Sequence, residues 1–252
     1  MSTELAIFGG EATRRFLGAL FDSAGSAALV EVRFRVGSGM RRCFHRVAAL
    51  DRAAETILAV APRADVFVGV VPRARRGGGR SDLVARASVL WADCDTPAAV
   101  AVLASFRPPP TMVVGSGSGE NRHAYWLLRE PVDVDQLERL NRRLALALGA
   151  DAQSSDAARI LRAAGSLNRK HSPPSPVRML ALEEHSRVRL AGLERRLPRE
   201  PPPLSTNTPT RAWPRGDAND PLRSIPPALY VERLIGQRSE LCASGRRNAA
   251  RS

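Results

Sequence analysis

Lysine is nearly absent: Lys170 is the one lysine among thirty-eight basic side chains, the rest being arginine. Aromatic residues make up 5% of the chain, and the cysteines number three. Cys43, Cys94 and Cys242 contain no Cys-x-x-Cys pair. That excludes a disulfide framework and a four-cysteine zinc site, and it points to a reducing, cytoplasmic setting. The histidines, His45, His123, His171 and His185, form no His-x-His ligand pair. No apolar run approaches the roughly 18 to 20 residues a membrane helix needs. The opening Met-Ser-Thr-Glu-Leu also lacks the basic stretch and apolar core of a secretory signal, so no membrane partner is expected.

What is present is charge of one sign. Thirty-eight basic against twenty-five acidic side chains leave a formal charge of +13, which favours a polyanionic partner, nucleic acid ahead of a membrane surface. The choice of arginine over lysine carries little, because codon bias in a GC-rich genome would enrich Arg, Ala, Gly and Pro together. At 252 residues, 44% hydrophobic and 25% charged, the chain can bury a core of one large domain, with a small appendage at most.

Helical and strand periodicities interleave. Helices are predicted over 10–20, 47–61, 97–105 and 135–148, and strands over 28–36, 65–71, 88–94, 111–115 and 123–128. The helix over 135–148 is the best defined, with Leu137, Leu140, Leu144 and Leu148 in one stripe, an Asp to cap its start and Gly149 just past its end. Between strands, PRARRGGGR (72–80) packs Arg73, Arg75, Arg76 and Arg80 around three glycines and reads as a mobile, positive loop or a solvated charge run. After Leu197 the composition shifts: nine of nineteen prolines fall between Pro198 and Pro227, the mark of a linker. Beyond it, PPALYVERLIG could form one short helix, and residues 237–252 have no apolar pattern.

Three segments could carry chemistry. In VLWADCD, Asp93 and Asp95 fall on the same face of a strand, with Cα atoms about 6.5–7 Å apart. Two such carboxylates suit a hard divalent cation whose coordination is completed by water and phosphate, although Asp95 or Thr96 could instead cap a helix starting at Pro97. GSGSG (115–119) leads into a strand bearing His123. It could be a plain hairpin loop or a place where bare amides and an imidazole meet a phosphate. In DAQSSDAARILRAAGSLNRK (151–170), Asp156, Arg159 and Arg162 have i, i+3, i+6 spacing and are predicted to line one helix flank, followed by a turn carrying Asn168 and Lys170.

WADCDT, GSGSGENRHAYWLL and DAARILRAAGSLNRK, in that order and at these separations, resemble the RepB-like, phage-type branch of the archaeo-eukaryotic primase superfamily, the primase-polymerase domains of plasmids, phages and integrated elements. The resemblance covers about residues 1–197. It implies an α+β, archaeo-eukaryotic primase-like core with a mixed, largely antiparallel sheet flanked by helices over 1–197, then a Pro-rich linker (198–225), a short helix and a disordered tail (226–252). It also implies metal-dependent, template-directed nucleotidyl transfer that makes or extends primers on single-stranded DNA. Asp93, Asp95 and Asp156 would be the catalytic acids holding Mg²⁺ or Mn²⁺. Ser116, His123, Arg159, Arg162, Asn168 and Lys170 would bind the nucleoside triphosphate, and the Arg73 to Arg80 loop the template. Unwinding would fall to a separate helicase. The alternatives are an inactive or truncated initiator or single-strand-binding module of the same fold and, less well matched to the arginines, a DxD glycosyltransferase.

Overall fold

A computed structural model describes residues 8–199, so the Pro-rich stretch, the short helix and the tail expected beyond them lie outside the described residues, apart from Pro198 and Arg199. The chain order is α1 (Gly10–Phe21), β1 (Leu29–Val36), β2 (Gly39–Arg46), α2 (Leu50–Val60), β3 (Val66–Gly69), β4 (Arg86–Cys94), α3 (Pro97–Ser105), β5 (Met112–Gly115), β6 (Arg122–Asp133), α4 (Val134–Leu148), β7 (Ile160–Arg162), β8 (Leu167–Asn168), β9 (Ser175–Pro176), β10 (Arg178–Leu182) and α5 (Leu190–Glu194). The strands divide into two four-stranded sheets, β2-β1-β3-β7 and β10-β5-β6-β4, plus a small β8-β9 ribbon. Every ladder within these sheets is antiparallel, and the isolated bridge from Leu128 to Val188 is parallel. This is the expected α+β class, with the strands in two sheets rather than one. No described helix is long and apolar enough to cross a membrane.

Local signals account for the elements that the sequence placed best. α3 starts at Pro97, and the Thr96 hydroxyl accepts from the Ala99 N–H. α4 starts behind Asp133, whose carboxylate accepts from the Gln136 N–H, and ends on Gly149 in the left-handed region at φ 65°. Its leucine stripe is buried as predicted.

In the first sheet, Val30, Val32 and Phe34 of β1 are fully buried, and α2 packs on the β1–β2 hairpin. In the second sheet, the two faces of β4 and β6 are buried by different partners. Tyr125 meets Phe16 of α1 edge-on, with ring centroids 6.0 Å apart, while Trp126 meets Phe106, next to α3, at 5.7 Å. Burial on both faces is why this strand pair reads as a nearly continuous apolar run.

The segment 151–170 departs from the predicted helix. Residues 152–155 make one 3₁₀ turn, and β7 then adds to the edge of β3 through the pairs Phe67–Arg162, Val68–Leu161 and Gly69–Ile160. The i, i+3 spacing of Asp156 and Arg159 does bring the pair together, at 2.6 Å, but across a loop. An open edge on β3 offered Ile160 and Leu161 a full set of backbone partners, which outweighed their helical spacing.

Candidate active site

β4 and β6 run side by side so that Asp93 lies directly opposite His123, with Cys94 opposite Arg122. Asp93 keeps a quarter of its side chain exposed, and its Oδ1 is 3.7 Å from His123 Nε2, too far for a hydrogen bond. His123 is buried, and its Nδ1 has no partner. Burial pushes its pKa down; the Asp93 carboxylate opposes this and Arg162 adds to it, so the imidazole is held neutral. Tyr125 stands beside this pair with a buried, unpartnered hydroxyl whose pKa burial and Asp93 drive upward. Asp95 follows the end of β4 and is exposed. The hydroxyl of Thr96, not the Asp95 carboxylate, caps α3, so capping does not occupy that acid. Between the two acids, burial and their charges push the Cys94 thiol up to about 12, which removes it as a thiolate ligand.

The glycine-rich turn joins β5 to β6 at the same end. Gly117 has φ +75°, and a Cβ there would lie 2.8 Å from Asn168 Cβ and 3.0 Å from the Ser175 carbonyl oxygen. Only glycine fits both the conformation and the space. Ser116 is buried, and its carbonyl accepts from Asn168 Nδ2 at 2.9 Å. Asn168 Nδ2 also donates to Ser118 Oγ at 2.8 Å, while its Oδ1 accepts from the Lys170 N–H at 3.0 Å. Asn168 therefore reaches the site as the clamp on the turn, with both amide hydrogens engaged, rather than as a free donor. Lys170 is exposed, and its ammonium has no carboxylate partner among the described residues.

Arg162 is brought to His123 from the other sheet. It pairs with Asp65, lies over the Phe67 ring at 4.9 Å, and its charge is felt by His123. Asp65 also accepts from the Arg169 N–H at 2.9 Å. Arg159 donates to the Gln153 carbonyl and pairs with Asp156, whose carboxylate is half exposed. Among the described residues no three carboxylate, histidine or cysteine side chains are gathered as a metal cage, so Asp156 does not join Asp93 and Asp95 in a ready-made site. The donor set still fits a hard divalent cation in the mode where protein supplies one or two carboxylates and substrate phosphates complete the shell.

The arginine-rich loop is not free along its whole length: it is pinned at Arg73, while Arg75, Arg76 and Arg80 stay exposed at its surface. Arg73 is wholly buried: its Nε donates to Glu31 at 2.8 Å, its Nη2 lies 2.6 Å from the same carboxylate, and Nη2 also donates to the Ala158 carbonyl at 3.2 Å. Arg33 completes the cluster on Glu31 at 2.6 Å and donates to the Gly78 carbonyl. Arg75 pairs with Asp82 at 2.8 Å, and Arg80 with Asp135 and Glu138 of α4. Arg76 is exposed, and its charge acts on Cys43 and His45 of β2. The loop is held by acids that converge on it, Glu31, Asp135 and Glu138 from distant segments and Asp82 from just beyond it. Glu31, Asp65 and Tyr125 are the site-building residues that the sequence reading missed. An acid inside the apolar run ALVEVRFRV was the available signal for Glu31, since a buried carboxylate requires a cationic partner.

Residues 73–196 match the family model of the RepB DNA-primase N-terminal domain. This stretch, just under half of the chain, resembles a RepB DNA-primase N-terminal domain. Among solved structures, the chain is similar to the archaeo-eukaryotic primase domain of the cyanophage S-2L primase-polymerase, at 18% identity and a TM-score of 0.57, over 76% of this chain and 99% of that one. It is also similar to the catalytic domain of primase RepB′ in complex with initiator DNA, at 20% identity and a TM-score of 0.54, over 74% and 92% of the two chains. At these identities the structural likeness is one of fold. No curated protein matches the chain. Asp93, Asp95, His123 and Asp156 of the RepB-like domain all lie inside the matched stretch, whereas Glu31 and Asp65 precede it and are joined to it through Arg73 and Arg162.

Proposed function

We propose that this RepB-like domain is a nucleotidyltransferase that makes or extends primers on single-stranded DNA. The observation that carries the reading is the pairing of Asp93 with a neutral, buried His123 beside an uncapped, exposed Asp95, on a fold shared with primase-polymerases. The 3′ hydroxyl oxygen attacks the α-phosphorus, the bond to the bridging oxygen breaks, pyrophosphate leaves, and the hydroxyl proton is released. Asp93 and Asp95 would hold Mg²⁺ or Mn²⁺, whose chemistry is charge neutralisation on the phosphates and activation of the hydroxyl.

The chain's own groups do the positioning. The neutral imidazole of His123 offers an N–H to a phosphate oxygen without bringing a second full charge beside Asp93. Gly117, clamped by Asn168, lets backbone amides approach the same phosphates. Arg162, fixed by Asp65 and Phe67, supplies charge from the opposite sheet, and Lys170 stands exposed for the distal phosphates. Asp156 becomes available as the third acid when a triphosphate draws Arg159 away from it.

A second reading is a binding module of the same fold without catalysis. The engagement of Asp156 by Arg159, which leaves only two acids free, favours it. Incubation with a primed single-stranded template, labelled nucleotides and Mg²⁺ or Mn²⁺ separates the two. Asp93→Asn is expected to lower incorporation at least ~100-fold, the scale of losing a principal charge-stabilising group, while binding of the template persists. Incorporation by that variant at the wild-type rate would overturn the site, and no product from the wild type with any nucleotide would favour the binding module.

A further inference from the structure

Five arginines from three segments, Arg107, Arg129, Arg187, Arg189 and Arg196, converge on one cleft of about 380 Å³ between the α3–β5 connection, the far half of β6 and the 186–196 segment. Arg129 lies six residues beyond His123 on β6, which places the cleft ~20 Å from the candidate active site. Arg129 donates to the Arg187 carbonyl at 3.0 Å, so the backbone joins the two walls.

Two acids of the adjoining segments are engaged elsewhere. Glu184 is drawn to Arg15 and Glu194 to Arg143. Arg187 pairs with Asp22 yet keeps a buried Nη1 without a partner. Arg107, Arg129, Arg189 and Arg196 have no carboxylate partner among the described residues, and all four are exposed. The contrast with the 73–80 loop is direct: there the arginines fall within eight residues and three of them are ion-paired with acids, while here they come from three segments and four of them have no carboxylate partner among the described residues. A concave surface with several uncompensated cations focuses a strong positive potential, and guanidinium forks match phosphate oxygens.

We infer that this cleft is a second nucleic-acid site, holding the phosphate backbone of a single strand at a distance from the nucleotidyl-transfer site. The inference rests on the proposed DNA substrate for its ligand, but not on catalysis. A single strand fits an open cleft bearing phosphate-matching cations, and no aromatic platform for stacked bases lines it, so phosphate contacts carry the binding.

The test is binding of labelled dT25 and dT2 by fluorescence anisotropy across a salt series, with Arg129→Gln/Arg189→Gln/Arg196→Gln beside the wild type and an Arg14→Gln/Arg52→Gln control. All the altered side chains are exposed, and thermal melts check that each variant is folded. Each lost phosphate contact lowers the salt slope of single-strand binding by ~0.7, so the triple variant should lose about 2 from the slope and at least ~10-fold in dT25 affinity. Binding of dT2, too short to span the two sites, and of dATP should change little, and the control should bind dT25 like the wild type. An unchanged dT25 slope in the triple variant overturns the inference. Weakened dATP binding with intact dT25 binding also overturns it, assigning the cleft to a free triphosphate. Failure of the wild type to incorporate nucleotides would sink the proposed activity and leave this binding test standing.

Discussion

Asn168 shows how one side chain can be essential to a phosphate-binding turn without touching a ligand. Its amide donates to the Ser116 carbonyl and Ser118 Oγ and accepts from the Lys170 N–H, all from a buried position. Asn168→Ala strands the Ser116 carbonyl, and a buried polar group without a partner costs ~1–3 kcal/mol. Urea unfolding should show a loss in that range, together with a raised nucleotide KM. Unchanged stability would mean that the clamp is not what fixes the turn. His45 makes a second residue-scale case. Burial, reinforced by the Arg76 and Arg52 charges, lowers its pKa to about 4. As pH falls, the unfolded chain takes up this proton first, from about 6.5, so the stabilising contribution is whole above that pH and is lost between 6.5 and 4. Allowing for the partial exposure of the ring, ~1–2 kcal/mol is at stake. The pH dependence of unfolding free energy between 7 and 4.5 should be shallower by that amount in His45→Gln, and equal slopes would refute the assignment.

At the scale of elements, the buried pair of Glu31 on β1 and Arg73 after β3 ties three segments together, because Arg73 also reaches the Ala158 carbonyl beside Asp156 and Arg159. Breaking such a pair leaves an uncompensated buried charge at a cost of ~3–5 kcal/mol, partly relieved here because Arg33 still binds Glu31. Arg73→Met should therefore lower the melting temperature by roughly 5–15 °C for a domain of this size. Arg73→Met/Glu31→Gln should recover part of that loss, and strictly additive losses would show that the two groups do not interact. The elements also divide cleanly by how legible they were. α3 and α4 carry their own start and stop chemistry, Thr96 with Pro97 and Asp133 with Gly149, and the structure places them within a residue of the predicted bounds. β7 has no such punctuation; its three residues become a strand because β3 has an open edge. β2, which no periodicity announced, is likewise a strand because β1 pairs with it along all eight residues.

For the whole molecule, two sheets meet so that acids from one strand end and a cation from the opposite sheet share one site, while a separate arginine cleft lies farther along β6. These two sites should respond differently to chelation. Adding EDTA is expected to abolish incorporation by removing the divalent ion from Asp93 and Asp95, yet leave dT25 binding nearly unchanged, because arginines hold phosphates without a metal. Anisotropy and incorporation measured on one sample would check this. Loss of both together would mean that strand binding itself runs through the metal site.

The sequence by itself determined the interleaved helices and strands, the Asp93–Asp95 pair, the His123 strand and the glycine turn, because each depends on residues near one another in the chain. It also determined the net positive charge. Tertiary structure alone decided where that charge acts. Arg73 read as part of a template-binding run until Glu31 was found on it in the core, and Arg107, Arg129, Arg189 and Arg196 meant nothing until folding set them in one cleft. The physical reason is that a charge is defined by its neighbours in space, across any separation in the chain, whereas a cap, a turn or a strand end is defined by the few residues beside it.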